Sequence, residues 1–213
     1  MKRVDPPFEL GETLSGTNDS GTLTNDDKLG QIFEIPAQNL GGGNFASGNK
    51  ARLSGRSIIA VMLRNTSGGV LLGKRIGILD EVTAGYGLLE TCSGYSDTLA
   101  QRNVVVVDDK LPSGGVADDD IFWGILQGPT TVLTPHVEAD FNGIISIGDP
   151  LVSSTATTTG ATTAGRLSNV TVVGQTGGTQ AFTMGRGVVA TALSAATTGN
   201  TNSDLLVNAC IQY

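Results

Sequence analysis

Ser57-Ile58-Ile59-Ala60-Val61-Met62-Leu63 is the strongest strand signal in the chain, and the turns and apolar runs after it set the fold class. Arg64-Asn65-Thr66-Ser67-Gly68-Gly69 is a Gly-rich turn, Val70-Leu71-Leu72 a short apolar run, Gly73-Lys74-Arg75 a second turn, and Ile76-Gly77-Ile78-Leu79 another strand. The order strand, turn, strand, turn, strand is a β-meander pattern. Further on, Asn103-Val104-Val105-Val106-Val107-Asp108 is a continuous β-branched run, the mark of a strand buried on both faces. Ile121-Phe122-Trp123-Gly124-Ile125-Leu126-Gln127-Gly128-Pro129 is the main aromatic patch, which Pro129 is expected to end. Thr131-Val132-Leu133 and Phe141 to Ile147 read as two more short strands.

Helical periodicity is nearly absent. Tyr95 to Arg102 and Ala190 to Ala196 are the best candidates, each two turns at most. Thr155 to Thr163 is low-complexity Thr/Ala/Gly text, read as a loop or an edge hairpin. The expected fold is therefore all-β: an antiparallel barrel or sandwich over residues 51–213. It divides, if at all, into two small β-subdomains near 129–140.

Residues 1–50 read differently, as a long extended arm. Pro6-Pro7 blocks regular structure, and Asn18-Asp19-Ser20-Gly21 and Asn25-Asp26-Asp27 are turn signals. The apolar knot Ile32-Phe33-Glu34-Ile35-Pro36 predicts one short strand, after which Gly41-Gly42-Gly43 punctuates the chain. A segment without its own core cannot offset its ordering entropy. The expectation is an arm that is either disordered or laid along a neighbour.

Composition narrows the function classes. Charged residues make up 15% and aromatics 5% of the 213 residues, while glycine reaches 30. So few charges imply a surface partly covered by other subunits, or one solvated by Thr and Ser hydroxyls. A net charge of -7 argues against nucleic acid as a partner. Lys50, Arg52, Arg56, Arg64, Lys74 and Arg75 nevertheless form a stretch without Asp or Glu. It reads as a basic contact face for an acidic surface, another copy of the chain included, or as solvated positions on one hairpin. The basic start Met1-Lys2-Arg3 lacks the apolar region of a signal peptide, and no apolar run approaches the length of a membrane helix. The expectation is synthesis in a cytosol and no membrane partner. Cys92 and Cys210 read as free thiols.

Groups that could do chemistry are few. His136 is the only histidine, and it comes after a proline turn with no nucleophile elbow nearby. Asp118-Asp119-Asp120 offers hard oxygen ligands for Ca²⁺ but lacks the alternating ligand spacing and distal Glu of an EF-hand. Those acids read better as solvating a turn before the strand at Ile121. An enzyme using them with His136, a glycosidase for instance, would need a fixed carboxylate separation that nothing here supplies. Gly185-Arg186-Gly187-Val188-Val189-Ala190 matches the dinucleotide pattern G-x-G-x-x-A, with Asp204 as the later acid. The helix that pattern requires is cut by Thr197-Thr198-Gly199-Asn200, so a Gly-framed strand is the better reading. No catalytic residue, cofactor or metal is expected. A glycan-binding β-domain, tail-associated or on a cell surface, is the alternative. It would need an exposed aromatic, and Trp123, the single tryptophan, lies inside an apolar run.

Several pieces together resemble the small β-barrel decoration, or cement, proteins of tailed-phage heads. They are Val61-Met62-Leu63-Arg64-Asn65-Thr66 with its Gly-rich turn and Gly73-Lys74, then Gly148-Asp149-Pro150-Leu151, Ala164-Gly165-Arg166-Leu167, and Gly187-Val188-Val189-Ala190 with Ala192-Leu193-Ser194-Ala195-Ala196. The resemblance covers roughly residues 55–213, with short and degenerate motifs. It implies a non-enzymatic virion protein, often a homotrimer, on the outer surface of a capsid assembled in host cytoplasm. Its partners would be the major capsid protein and further copies of itself. The contact residues expected on that reading are Ile32, Phe33 and Ile35 in the arm and Arg52, Arg56, Arg64, Lys74 and Arg75 in the basic stretch.

Overall fold

The structure is a computed structural model that describes residues 6–36, 57–80, 86–87, 89–96, 103–133, 144–153, 165–169, 188–197 and 204–211. A single 3-10 turn, Asp26–Lys28, precedes strand β1 (Ile32–Pro36). The remaining strands are β2 (Ser57–Asn65), β3 (Ile76–Leu79), β4 (Thr91–Tyr95), β5 (Val104–Val107), β6 (Ile121–Leu133), β7 (Ile144–Ile145), β8 (Pro150–Ser153), β9 (Leu167–Asn169), β10 (Val188–Ala192), β11 (Ala196–Thr197) and β12 (Asp204–Cys210). Ten of them form one sheet in the order β1-β2-β4-β3-β5-β6-β12-β10-β8-β9. The all-β expectation holds.

β2 also pairs with β6, so the pairings β2–β4–β3–β5–β6 return to their start and five strands make a ring. β2 and β4 run parallel, and the other pairings are antiparallel. Successive side chains of a strand point to opposite faces, and here both faces are covered. Val61 and Leu63 of β2, Val105 and Val107 of β5 and Phe122 of β6 join a smaller core with Leu71, Leu79, Cys92 and Val116. Ala60, Met62, Val104, Val106, Trp123 and Ile125 face the larger core, shared with β8, β10 and β12. That double burial is why these strands read as unbroken apolar runs. Gly124 makes the ring's tight interior possible: a Cβ there would stand 2.5 Å from both Leu63 Cδ1 and Val105 Cγ2.

Three expectations are corrected. β6 does not stop at Pro129 but continues to Leu133, pairing with β12 from Gln127 onward. Gly128, at φ 103°, turns the strand, and among the described residues only β12 continues as its ladder partner. A proline is tolerated where one flank of a strand is unpaired. The helix candidate at Ala190–Ala196 is not helical: its first three residues end β10, held by β8 and β12 on its two sides, and Ala196 opens β11, so ladder bonds outweigh alanine's helix preference. In the other candidate, Tyr95 ends β4, and 97–102 lie outside the described residues.

The third correction concerns the arm. Within it Ile32–Pro36 is the predicted strand, antiparallel to β2, and residues 1–5 and 37–50 lie outside the described residues. Yet residues 6–36 lie on this chain's own sheet: Phe8, Leu29 and Ile35 are buried in the larger core, with Leu10, Leu14 and Phe33 packed against it. Leu14 exchanges backbone hydrogen bonds with Ile121 at 2.9 and 2.8 Å. Widely spaced apolar residues thus share a core built by the rest of the chain.

Candidate functional site

Arg64 sits near the end of β2, fully buried, where residues 16–26 meet the turn leading into β6. Its Nη1 donates to the carbonyls of Gly16 (3.0 Å) and Asp119 (2.7 Å). Its Nη2 donates to the Thr24 carbonyl (2.7 Å) and to Asp26 Oδ1 (2.5 Å). Burying a guanidinium is costly, and these four acceptors, from two separate stretches of chain, offset that cost at Nη1 and Nη2, while the buried Nε has no hydrogen-bond partner among the described residues. Asn65, next along, is buried too and directs its Nδ2 at the carbonyls of Gly69, Val116 and Ala117. Together the two side chains fix the loops at this end of the ring.

The Asp118–Asp120 turn belongs to the same assembly. Asp118 Oδ1 accepts the Gly68 N–H (2.9 Å), and Asp120 Oδ1 accepts the Gly16 N–H (3.2 Å). Asp119 takes a left-handed conformation, φ 67°, and gives its carbonyl to Arg64. These acids shape a turn ahead of Ile121. Among the described residues no cluster of His, Cys, Asp and Glu is arranged to hold a metal ion.

Trp123 lies in the larger core, as its apolar context predicted. Phe8 stacks on it with ring centroids 4.8 Å apart, Phe33 meets it edge-on at 5.4 Å, and its Nε1–H donates to the Phe8 carbonyl at 3.2 Å. An indole so enclosed offers no face to a sugar.

At the end of β5 two adjacent carboxylates are buried, Asp108 and Asp109. Asp108 Oδ2 accepts the Gly11 N–H at 2.6 Å and its Oδ1 the Lys110 N–H at 2.9 Å. Asp109 Oδ2 accepts the Thr131 N–H at 2.9 Å, with Lys110 Nζ 3.8 Å away. Burial pushes the Asp108 carboxyl up to about 7, against its two backbone donors and the Lys110 charge and with the Asp109 charge adding to the rise. The sequence shows these acids at a strand end running into a turn, but not that both are buried.

The expected contact residues fall into three groups. Ile32 is 52% exposed on β1, and Lys74, at φ 63°, is half-buried with Nζ 2.6 Å from Asp204 Oδ2. Arg52 and Arg56 lie outside the described residues. The others turn inward: Ile35, Arg64 and Arg75 are buried, and Phe33 is half-buried on Trp123. The basic stretch is therefore not one solvated face. Arg75 stacks over Tyr95, 5.0 Å from its centroid, and Tyr95 Oη accepts the Leu72 N–H. Arg166 is buried as well, where burial and, behind it, the Arg75 charge lower its pKa.

His136 and residues 185–187 lie outside the described residues. Val188–Ala190 is strand, where the dinucleotide pattern requires a helix, and Asp204 opens β12 facing Lys74. Cys92 is a buried free thiol and Cys210 a half-buried one. The chain matches no family model, no curated protein and no solved structure in the three comparisons made with known proteins.

Proposed function

We propose that this chain is a non-enzymatic virion structural protein, a decoration or cement protein on the outer surface of a phage capsid that bridges and stabilises neighbouring capsomers. The observation that carries the reading is the use made of Arg64, Asn65, Asp108 and Asp109. Such groups do chemistry in other proteins; here their hydrogen bonds hold backbone from distant parts of the chain. A ring of strands buried on both faces, with its first residues clamped across it, suits a part whose work is to resist deformation. The resemblance of residues 55–213 to decoration proteins supplies the setting, with the major capsid protein and further copies of this chain, as a homotrimer, for partners. Low charge is consistent with surfaces covered in such an assembly. Among the described residues strand β1 is an edge of the sheet, the kind to which a neighbour's strand can add, and it carries the exposed Ile32.

Cryo-electron microscopy of particles purified from the producing cells tests the reading. Density for this chain on the outer shell, at contacts between capsomers, is the expected result. Complete particles that lack the chain contradict it.

A further inference from the structure

Register sets two buried polar side chains next to each other where β2 meets β4. Arg64 is the partner of Thr91 in that parallel pairing, and the Arg64 N–H donates to the Glu90 carbonyl at 2.9 Å. Leu63 and Cys92 belong to the smaller core, so Arg64 and Thr91, each one position away along its strand, both point to the opposite face of the sheet. Both residues are fully buried. Nη1 and Nη2 of the guanidinium are engaged by Gly16, Thr24, Asp26 and Asp119. Its Nε and the Thr91 Oγ1 have no hydrogen-bond partner among the described residues, so they do not bond each other either.

We propose that one water molecule is held between Arg64 Nε and Thr91 Oγ1, an internal binding site that joins β4 to the Arg64 network. The chemistry of the two atoms selects the ligand. Nε–H can only donate, so the ligand must present a lone pair. The Thr91 hydroxyl donates and accepts, so the second contact can run either way. The guanidinium charge repels a cation, and Asp26 Oδ1 already faces it 2.5 Å from Nη2, so a neutral ligand is favoured over an anion. Water meets all three conditions, and two polar partners are enough to hold it inside a protein. Nε lies three bonds beyond its Cβ and Oγ1 only one. The two atoms therefore stand at different heights above the sheet, an offset that a bridging molecule spans.

The surroundings close the site. The Tyr86 ring lies beside the guanidinium, its centroid 6.0 Å from Cζ, and Gly30 packs so near the start of β4 that a Cβ on it would meet Glu90 Cγ at 3.4 Å. Two hydrogen-bonding groups left bare in such a place are costly, and one bridging water satisfies both. With the water in place, a single node joins residues 16–26, β2, the turn before β6 and β4. This inference concerns the chain by itself and does not depend on its place in a virion.

Crystallography of the full chain, at a resolution that shows ordered water, tests the site in the native, Thr91→Ser and Thr91→Val proteins. The expected result is a water within hydrogen-bond distance of both Arg64 Nε and Thr91 Oγ1 in the native chain, kept in Thr91→Ser and lost in Thr91→Val. A direct bond between Nε and Oγ1, or an Nε–H turned onto the Tyr86 ring, with no water between, overturns the proposal. A water that stays in Thr91→Val also overturns it. Should the valine variant fail to fold, the native crystal decides by the presence or absence of that water.

Discussion

Arg64 Nη2 lies 2.5 Å from Asp26 Oδ1, a contact between residues 38 positions apart in which the guanidinium is fully buried and the carboxylate side chain is 56% exposed. The asymmetry decides which partner matters. Asp26 can be replaced by water, whereas the carbonyls of Gly16, Thr24 and Asp119 depend on Arg64. Arg64→Leu should cost about 3–5 kcal/mol, the range for breaking a buried charged network. Asp26→Ala should cost less than about 1 kcal/mol, as for exposed ion pairs. Urea unfolding of the two variants checks the contrast, and equal losses would contradict it.

Trp123 is the only tryptophan in the chain, so intrinsic fluorescence reports its contact with Phe8. Phe8→Ala removes the stacked ring and admits water beside the indole. The emission should move to longer wavelength while the far-ultraviolet dichroism of the sheet is kept, and stability should fall by about 3 kcal/mol. An unmoved emission maximum would mean that the first residues do not seal the core.

Two glycines separate packing from backbone freedom. Gly124→Ala drives a methyl group into Leu63 and Val105 inside the ring and should cost about 1–3 kcal/mol. Gly114→Ala meets nothing within 4 Å and should change stability by no more than about 0.5 kcal/mol. Thermal melts of both variants provide the comparison.

Burial pushes the Cys92 thiol up to about 12, against hydrogen bonds with the Gly94 and Ile78 backbone. At pH 8 it is therefore a neutral thiol inside the smaller core. Iodoacetamide should leave Cys92 unmodified in the native protein and label it fully in denaturant, as peptide mass spectrometry would reveal. Cys210, also raised by burial but only half-buried, should label slowly without denaturant. Rapid native labelling of Cys92 would show that the ring opens.

The ring strands are legible because burial on both faces writes itself into local sequence. Val104–Val107 and Ile58–Leu63 have no polar face to hide. The first residues are not legible, for the opposite reason. Phe8 and Leu14 are isolated in polar text, and what they pack on and pair with is Trp123, 115 positions beyond Phe8, and the nearby Ile121. Arg64 and Arg75 read as surface charges by default. For Arg64, the carbonyls that permit burial arrive from residues 40 and 55 positions distant. Pro129 misleads because a proline ends a strand only where its N–H is needed, and the pairing on each flank is a tertiary fact. Asp118–Asp120 is legible as a turn, since its role is fixed by the strand that begins at Ile121.

The proposed role is mechanical, that of strengthening a shell. The most direct measurement is the temperature at which genome is released from particles lacking the chain, with and without the purified protein added back. The account predicts that release shifts to higher temperature once the protein is added. Release at the same temperature in both samples would contradict it.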